Sequence, residues 1–581
     1  MKTRQTVDTS LGNAKVTFDG ETLHVDTGLM RRRWRWTGTG FLTVSVEGPG
    51  GDAWESGSGG CTPDADWILP VCEGFNPEAQ LDAVGAEVSD DEGFTSRHVA
   101  FTAEMSYPEV RLGLRFVVWV YPDAPGVRVS LQIKALAGFA WDGELHKREV
   151  SDAARRQARL SRGYQRHDMI PVDFSGTRRR MIGYHSDTQR RNDPHLDILL
   201  EATEEKPLTH PYVCEWANAL CVEDGSGGIA LLKESHKCVN TAGHDAGVFI
   251  CAPGCGVECH GWGILPGEID EIWRPAWATW CMAYSGGDRA RQKAFKAFDR
   301  TRYPLRAQDL RIQANTWGSS QGYLASREAA SEANVLREID SCADLGIDVL
   351  AIDDGWQGNR YDAWTADERR YPQGWKRVRE HAAVQGITLG LWLAALPPSL
   401  EDMERNVREG GFESYKLDFA RLDSRHRVDE LMTKVRTFVK RQDHAVRIKW
   451  DLTEVGPRYG FYFAREFGSI YLENRKPVLP RSTTYRPATV LRDLWQIAHY
   501  CNLLKFQGSI QNIDTVDPLF SDAAAYNHAY CAAIPLMSAP LFFCETQYFD
   551  EDARRQIRPV LAAYKRVRDN LIRGLVCPVG A

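Results

Sequence analysis

The sequence lacks the features that would place it in a membrane or export it. No run of about 18 apolar residues occurs, so no transmembrane helix is predicted. The amino-terminal segment alternates apolar and polar side chains and has no apolar stretch of about 7 to 15 residues, which a secretory signal requires. The net charge of −7 over 581 residues is too small to indicate nucleic acid or a charged membrane as a partner. We therefore expect a cytoplasmic protein that binds neither.

The sequence also lacks a disulfide framework. Its 14 cysteines are scattered over 581 residues, which is typical of reduced thiols in a cytosol. One segment, CAPGCGVECH, places Cys251, Cys255, Cys259 and His260 close together, and a curled loop could bring them to one metal ion. Structural zinc usually takes cysteine pairs about two to four residues apart, with a second pair further on. We therefore favour buried thiols in a Gly-rich β segment and keep metal binding as the alternative.

Residues 1–285 show the pattern of an antiparallel β domain. Short alternating runs such as AKVTFDG, FLTVSVEG and GVRVSLQIKALA are separated by Gly, Pro and Asp turns at short intervals. This pattern is typical of a β-sandwich. The basic run RRRWRW does not indicate nucleic acid, because strand alternation predicts two separate faces, one with Arg31, Arg33 and Arg35 and one with Arg32, Trp34 and Trp36.

The pattern changes to alternating strands and helices after a predicted helical linker at residues 286–308. Residues 309–575 contain eight strand candidates: LRIQANTW, IDVLAID, ITLGLWLA, ESYKLDF, VRIKWDL, GSIYLEN, LLKFQGSI and IPLMSAPLFF. Amphipathic stretches such as VDELMTKVRTFVKRQ lie between them. Eight repeats in about 260 residues is the size of a closed (β/α)8 barrel. The predicted fold is multidomain, β plus α/β, with a large N-terminal antiparallel β-sandwich followed by a TIM barrel.

Polar and aromatic side chains stand at the carboxyl ends of the predicted barrel strands, where the active sites of such barrels lie. They are Trp317, Asp353, Asp354, Trp392, Lys416, Asp418, Asp451, Glu473, Gln511 and Glu545. The carboxylates are more numerous than packing alone would require, because each carboxylate must be solvated, paired with a cation or used in chemistry. A retaining glycosidase needs one ionised carboxylate and one carboxylic acid, about 5 to 5.5 Å apart. An acidic ring supplies both, and like-charge repulsion keeps one member protonated.

Two other interpretations of the acidic ring stay open at this point. The carboxylates could form structural ion pairs with nearby Lys and Arg side chains, or they could hold a magnesium ion, as in enolase-like barrels. The nucleophile is open as well. YKLDF and RIKWDLT both carry a lysine two positions before an aspartate, so Asp418 and Asp451 compete for this role.

Three motifs, taken in order, resemble those of clan D glycoside hydrolases. LGIDVLAIDDGWQ, GITLGLWLA and YKLDF are similar to the second, third and fourth barrel strands of the family 36 and family 27 α-galactosidases, which share a clan with family 31. A β domain before the barrel is the arrangement of family 36. The resemblance implies that Asp418 is the nucleophile, that Lys416 binds sugar beside it, and that Asp451 contacts a sugar hydroxyl.

The same resemblance implies roles for an acidic doublet and for aromatic residues. Asp353 and Asp354 are similar to the pair that accepts hydrogen bonds from the 4- and 6-hydroxyls of a terminal galactose. Trp317 and Trp356 would line the pocket, and Trp392 is a further binding residue.

The second half of the barrel departs from the family 36 pattern. Neither the GGGR segment nor the SD motif, which supplies that family's acid/base aspartate, is found, and the sixth strand reads GSIYLENRKP. Glu473 is the acid/base candidate by position, 55 residues beyond Asp418, with Arg475 nearby to orient substrate or catalyst. Glu454 and Glu545 are the alternative acids.

The combined prediction is a retaining glycoside hydrolase that cleaves terminal α-galactosides or closely related α-linked sugars. Its partner is an oligosaccharide or glycoside substrate, and it needs no cofactor. A metal-dependent barrel lyase or isomerase and a non-hydrolytic carbohydrate-binding homologue are the alternatives. Homo-oligomerisation and sugar transfer to another sugar stay open.

Overall fold

The computed structural model describes most of the chain. The described residues are 5–56, 63–141, 165–171, 178–185, 196–206, 208–235, 246–318, 323–420, 425–451, 463–471, 485–519 and 521–580. No helix within these ranges is long and apolar enough to cross a membrane.

The chain divides into two compact units. The first is Met1–Tyr184 with Leu200–Pro304, and the second is His185–Leu199 with Leu305–Ala581. Antiparallel sheets build the first unit, and a closed parallel barrel builds the second. The predicted linker at residues 286–308 contains helix α1 (Asp288–Arg302), which groups with the first unit.

The β domain contains the following strands in its described part. They are β1 (Val7–Leu11), β2 (Ala14–Phe18), β3 (Thr22–Asp26), β4 (Arg31–Trp36), β5 (Phe41–Glu47), β6 (Ala53–Glu55), β7 (Gln80–Ser89), β8 (His98–Tyr107), β9 (Leu112–Val120), β10 (Gly126–Ala135), β11 (Arg166–Ile170), β12 (Arg178–Tyr184), β13 (Leu199–Glu204), β14 (Tyr212–Cys214), β15 (Ala219–Glu223), β16 (Gly227–Lys233), β17 (Phe249–Ala252), β18 (Gly256–His260), β19 (Arg274–Pro275) and β20 (Thr279–Ser285).

Three antiparallel sheets form from these strands. The first has the order β1-β2-β3-β4-β5-β6, the second β13-β12-β15-β16-β20-β10-β9-β8-β7 with β19 beside β10, and the third β11-β18-β17-β14. The first two sheets share one core, in which Phe41 of β5 stacks on Phe116 of β9 with ring centroids 5.1 Å apart. Sheet faces pack on each other in this way in a sandwich, so the predicted β-sandwich is confirmed.

Strand β4 shows the predicted separation of the RRRWRW side chains. Arg32 and Trp34 are buried, whereas Arg31 and Arg35 are exposed. The Arg32 guanidinium lies 3.0 Å from Asp66 and 2.9 Å from Asp168. Burial raises the pKa of Asp66 to about 6, against the opposing effect of Arg32. The basic run is therefore a structural element of the sandwich.

The cysteine segment differs in one respect from the prediction of reduced thiols. Cys251 and Cys259 are buried, are not disulfide-bonded and lie on the paired strands β17 and β18, as expected for a β segment. Cys255, in the turn between these strands, is disulfide-bonded, so the prediction was wrong for this residue. Sequence spacing alone shows no partner for it, because disulfide pairing depends on distance in the fold.

The barrel closes through eight parallel strands, and each matches a predicted candidate. They are β21 (Gln313–Asn315), β22 (Val349–Ile352), β24 (Thr388–Ala394), β25 (Ser414–Asp418), β26 (Arg447–Trp450), β27 (Gly468–Tyr471), β28 (Phe506–Ile510) and β29 (Ala539–Phe542). A short strand β23 (Pro372–Trp375) lies between the second and third barrel strands in the chain. The predicted TIM barrel is therefore confirmed.

Helices follow the barrel strands. Within the described residues they are α2 (Tyr323–Glu328), α3 (Glu332–Leu345), α4 (Lys376–Gln385), α5 (Leu400–Gly410), α6 (Arg425–Arg441), α7 (Pro487–Ile497), α8 (His528–Ala533), α9 (Glu551–Val567) and α10 (Asn570–Arg573). The stretch REAASEANVLREIDSCADLG, predicted as one helix, is divided between α2 and α3. The division occurs because Ser331 takes an extended backbone, with ψ of 149°, as the N-cap of α3.

An ion cluster lies within the barrel unit. Asp309 contacts Arg447 at 2.7 Å and Lys505 at 3.5 Å, and all three side chains are buried. The neighbouring Lys449 donates to Ser469 Oγ at 3.1 Å. Burial lowers the pKa of Lys449 to about 8, although Asp309 opposes the shift.

Candidate active site

Lys416 lies among three carboxylates at the carboxyl ends of the barrel strands. Its Nζ is 3.1 Å from Asp353 Oδ2, 3.3 Å from Asp451 Oδ2 and 3.8 Å from Asp418 Oδ2. All four side chains are buried. Lys416 and Asp418 share a strand and are two residues apart, so alternation directs both to the same side. One ammonium thus lies within ion-pair distance of three acids.

Asp418 is oriented by two N–H donors. Trp392 Nε1 donates to Oδ2 at 3.0 Å, and the backbone amide of Phe419 donates to Oδ1 at 2.7 Å. Phe419 has φ of 54°, in the left-handed region that a bulky residue rarely adopts. Such a backbone costs about 1 to 3 kcal/mol and tends to persist at functional sites. The carboxylate of Asp418 is therefore both buried and held in one direction.

Asp353 connects the Lys416 cluster to the first two barrel strands. It accepts a hydrogen bond from Asn315 Nδ2 at 3.3 Å and another from the Asp354 amide at 2.9 Å. Burial raises the pKa of Asp353 above its ordinary value, and the Lys416 ammonium opposes this shift.

Asp354 is held by side chains outside the strands. Gln357 Nε2 donates to Oδ1 at 2.8 Å, Tyr361 donates to Oδ2 at 2.9 Å, and Arg327 Nε lies 3.4 Å from Oδ2. The next residue must be glycine, because Gly355 has φ of 120° and a Cβ there would lie 2.3 Å from the Arg327 carbonyl oxygen. Within the doublet, Asp353 therefore pairs with Lys416 and Asp354 pairs with Arg327.

A pair of stacked aromatic rings adjoins this charged cluster through Phe543. Tyr471 and Phe543, from the sixth and eighth strand ends, stack with ring centroids 5.3 Å apart. We call this pair the aromatic floor. Lys416 Nζ is 5.8 Å from the Phe543 centroid, and Trp317 packs against the same pair. An apolar surface opposite hydrogen-bonding groups suits a sugar ring, which has both C–H faces and hydroxyls.

The structure brings together most of the predicted site residues that it describes. Asp353, Trp392, Lys416, Asp418 and Asp451 form one connected cluster. Trp356 lies elsewhere: it is fully buried, and its Nε1 donates to the Trp392 carbonyl at 2.9 Å.

Only one of the three candidate acids lies among the described residues. Glu473 and Glu454 lie outside the described residues, as does Arg475. Glu545 accepts a hydrogen bond from Asn334 Nδ2 at 3.2 Å and lines a cavity of about 670 Å³. The described lining of that cavity does not include Lys416 or its carboxylates.

The predicted site residues did not include Asn315, Arg327, Tyr361 and Phe543. Asn315 had a usable signal, because it precedes Trp317 by two positions and strand alternation directs both to one side. Arg327 and Tyr361 had none, since they lie in a short helix and a loop whose paths no periodic pattern predicts.

The cluster does not resemble a metal site. In the part of the chain that the structure describes, no group of three His, Cys, Asp or Glu is arranged to hold a metal ion. Asp353 and Asp451, two of the carboxylates that the metal interpretation would use, lie instead against the Lys416 ammonium.

The protein thus combines a β-sandwich unit with a (β/α)8 barrel that carries an acidic cluster at its strand ends. No family model matches the sequence. Alpha-galactosidase 1 of Pediococcus pentosaceus is 35% identical over 69 residues, which are 11% of this chain and 9% of that protein. The alignments thus span less than a fifth of the length of the curated relatives that the chain matches.

Solved structures match nearly the whole chain. The galactosidase domain of the α-galactosidase-sucrose kinase AgaSK superposes with a TM-score of 0.64 at 9% identity, over 96% of this chain and 86% of that one. The family 36 α-galactosidase AgaA of Geobacillus stearothermophilus, solved as a variant with raffinose, gives 0.62 at 10% identity, over 99% and 88%. The chain therefore has the fold of the family 36 α-galactosidases, as the motif resemblance implied.

Proposed function

We propose that this protein is a retaining glycoside hydrolase that releases terminal α-galactose from oligosaccharides or glycosides. The observation that carries the proposal is the setting of Asp418, which accepts the Trp392 indole N–H at 3.0 Å and lies 3.8 Å from the Lys416 ammonium. A buried, oriented carboxylate beside a cation is suited to nucleophilic attack. The raffinose complex of AgaA supports an α-galactosyl oligosaccharide as the substrate class.

The reaction would proceed in two displacements. Asp418 attacks the anomeric carbon and forms a glycosyl ester while the glycosidic C–O bond breaks. Glu473, assigned by its sequence position two residues beyond β27, gives its proton to the departing oxygen. It then removes a proton from the water that cleaves the ester. Two inversions at one carbon retain the α configuration.

Substrate recognition would use both sides of the site. The Asp353–Asp354 doublet, Lys416 and Asp451 accept from or donate to sugar hydroxyls, while the aromatic floor takes a C–H face. We propose binding roles for Trp317, Trp392 and Arg475 as well. Trp356 would act through the Trp392 backbone that it supports.

The function is tested with nitrophenyl α-galactoside and raffinose. The parent should hydrolyse both, and proton NMR should show α-galactose as the first product. Azide should restore turnover to Asp418→Gly and give β-galactosyl azide, because the external nucleophile then enters opposite the leaving group. Release of β-galactose first would overturn retention, and no turnover of any α-glycoside would overturn the hydrolase.

The acid/base assignment needs a separate test. Glu473→Gln should slow raffinose hydrolysis by about 10² to 10⁴-fold, but should spare nitrophenyl substrates much more, because an activated leaving group needs little protonation. Glu545→Gln and Glu454→Gln are the matched controls. Equal loss on both substrates, or no loss on either, would show that Glu473 is not the acid.

A further inference from the structure

Gln511 and Asn315 lie on either side of Phe543 at the barrel mouth. Ile510 and Ala314 each pair with Phe542, so the next residues, Gln511 and Asn315, flank Phe543 at one level. The Phe543 amide donates to the Ile510 carbonyl at 2.8 Å, which extends the ladder to this level.

The direction of these side chains follows from the aromatic floor. Phe543 stacks on Tyr471 across the intervening strand β28 and lies 5.8 Å from Lys416 Nζ, so it points into the barrel. Laterally paired residues of a parallel sheet point to the same side. Gln511 and Asn315 therefore point inward as well, at the edge of the floor.

Both residues carry buried polar atoms that the described part of the protein does not satisfy. Gln511 is only 2% exposed, and neither its Nε2 nor its Oε1 has a hydrogen-bond partner among the described residues. Asn315 gives its Nδ2 to Asp353, while its Oδ1 is likewise unpartnered there. Buried amides are nearly always hydrogen-bonded, so an unpaired one at a site mouth indicates a ligand.

We propose that Gln511, together with Asn315, forms a hydroxyl-binding subsite at the edge of the aromatic floor, and that its ligand is a pair of adjacent hydroxyls on the sugar that Asp353 and Lys416 bind from the other side. A side-chain amide has one acceptor and two donor positions, which match two neighbouring hydroxyls. Being neutral, it adds no further charge to the acidic cluster. The identity of this sugar rests on the proposed function, whereas the subsite itself does not require hydrolysis.

The subsite is tested by calorimetric binding of D-galactose and its 2-, 3-, 4- and 6-deoxy analogues to the full-length protein. Gln511→Leu should weaken galactose binding by about 3- to 10-fold, the effect of one or two lost hydrogen bonds. For the two analogues that each lack one of the contacted hydroxyls, the difference between parent and variant should be smaller, because one of the interactions is already absent. The other analogues should keep the full difference.

Gln507→Leu is the matched control. Gln507 is buried on the same side of β28, four positions before Gln511. Its Nε2 is also unpartnered among the described residues. This variant should keep the parent's pattern of affinities. Gln511→Asn, which keeps the amide on a shorter side chain, serves if the leucine variant does not fold, and it should show the same selective loss.

The outcomes separate the subsite from the catalytic proposal. Equal weakening of all five sugars by the Gln511 variants, or no weakening, would overturn the subsite, as would a parent that binds no galactose. A parent that binds galactose with this selective pattern and yet hydrolyses no nitrophenyl α-galactoside would overturn the hydrolase and leave the subsite standing.

Discussion

Trp392 donates its indole Nε1–H to Asp418 Oδ2 at 3.0 Å, and this bond links the third barrel strand to the proposed nucleophile on the fourth. The two strands are paired, with Ala394 opposite Asp418. The indole therefore reaches diagonally along the ladder to the carboxylate. This contact distinguishes Asp418 from Asp451. In the described part of the site, no indole N–H orients Asp451 where it approaches Lys416.

We expect Asp418→Asn and Asp451→Asn to change different kinetic parameters. Asp418→Asn should lower kcat for nitrophenyl α-galactoside by at least about 10³-fold, because covalent catalysis is lost. Asp451→Asn should mainly raise KM, by about 10-fold, because a charge-assisted hydrogen bond to a hydroxyl is weakened. Steady-state kinetics measures both, and a larger kcat loss for Asp451→Asn would exchange the two roles.

Trp392→Phe removes the orienting indole N–H and keeps an aromatic ring. A hydrogen bond to a charged group contributes about 1.5 to 3 kcal/mol, so kcat/KM should fall by about 10- to 100-fold. Trp356→Phe makes the same chemical change at a residue whose N–H donates to the backbone carbonyl of Trp392. It should lower the melting temperature more than the activity. Equal activity losses in the two variants would contradict a specific role of the Trp392 N–H.

Arg32→Met should strongly destabilise the β domain. Arg32 is fully buried between Asp66 and Asp168, and its removal leaves two buried carboxylates without their cation. Breaking a buried pair typically costs about 3 to 5 kcal/mol. Arg33→Met, on the exposed side of the same strand, should change stability by no more than about 0.5 kcal/mol. Thermal unfolding of both variants tests this, and similar melting temperatures would contradict it.

Lys449→Met should stabilise the protein near neutral pH. The folded-state pKa of Lys449 is lowered to about 8 by burial, so below pH 8 the fold holds a buried charge at a cost of the order of 3 kcal/mol. Between about pH 8 and 10.5 the unfolded chain binds more protons than the folded one, and the parent gains stability as the pH rises. The melting-temperature difference between variant and parent should therefore shrink over this window. A constant difference would show that the pKa of Lys449 is not lowered in the fold.

The fold was largely predictable because its signals are local. Each of the eight barrel strands is a short apolar run between turn residues, and the split of RRRWRW into two faces follows from the geometry of one strand. The break between α2 and α3 was not predicted, since the helical pattern continues across Ser331. The disulfide state of Cys255 was not predicted either, because disulfide pairing depends on distance in the fold, which sequence spacing does not give.

The candidate site was predictable in its members but not in its contacts. Asp353, Lys416, Asp418 and Asp451 were identified as strand-end residues, yet nothing local showed that Lys416 lies nearer to Asp353 than to Asp418. Tyr361 reaches Asp354 from a loop, where no periodicity constrains a side chain. Glu473 as the acid/base stays a prediction from the sequence.

The sequence by itself determined the order of strands and helices and the charged groups at the strand ends, because periodicity, turn residues and the two-residue alternation act over a few neighbours. The tertiary structure alone decided which groups meet. Lys416 and Asp353 are 63 positions apart. Gln511 becomes a neighbour of Phe543 when the last two barrel strands pair, and Asn315 does so only when the first and last strands pair. Closure of the barrel brings these residues together, and no local pattern contains that information.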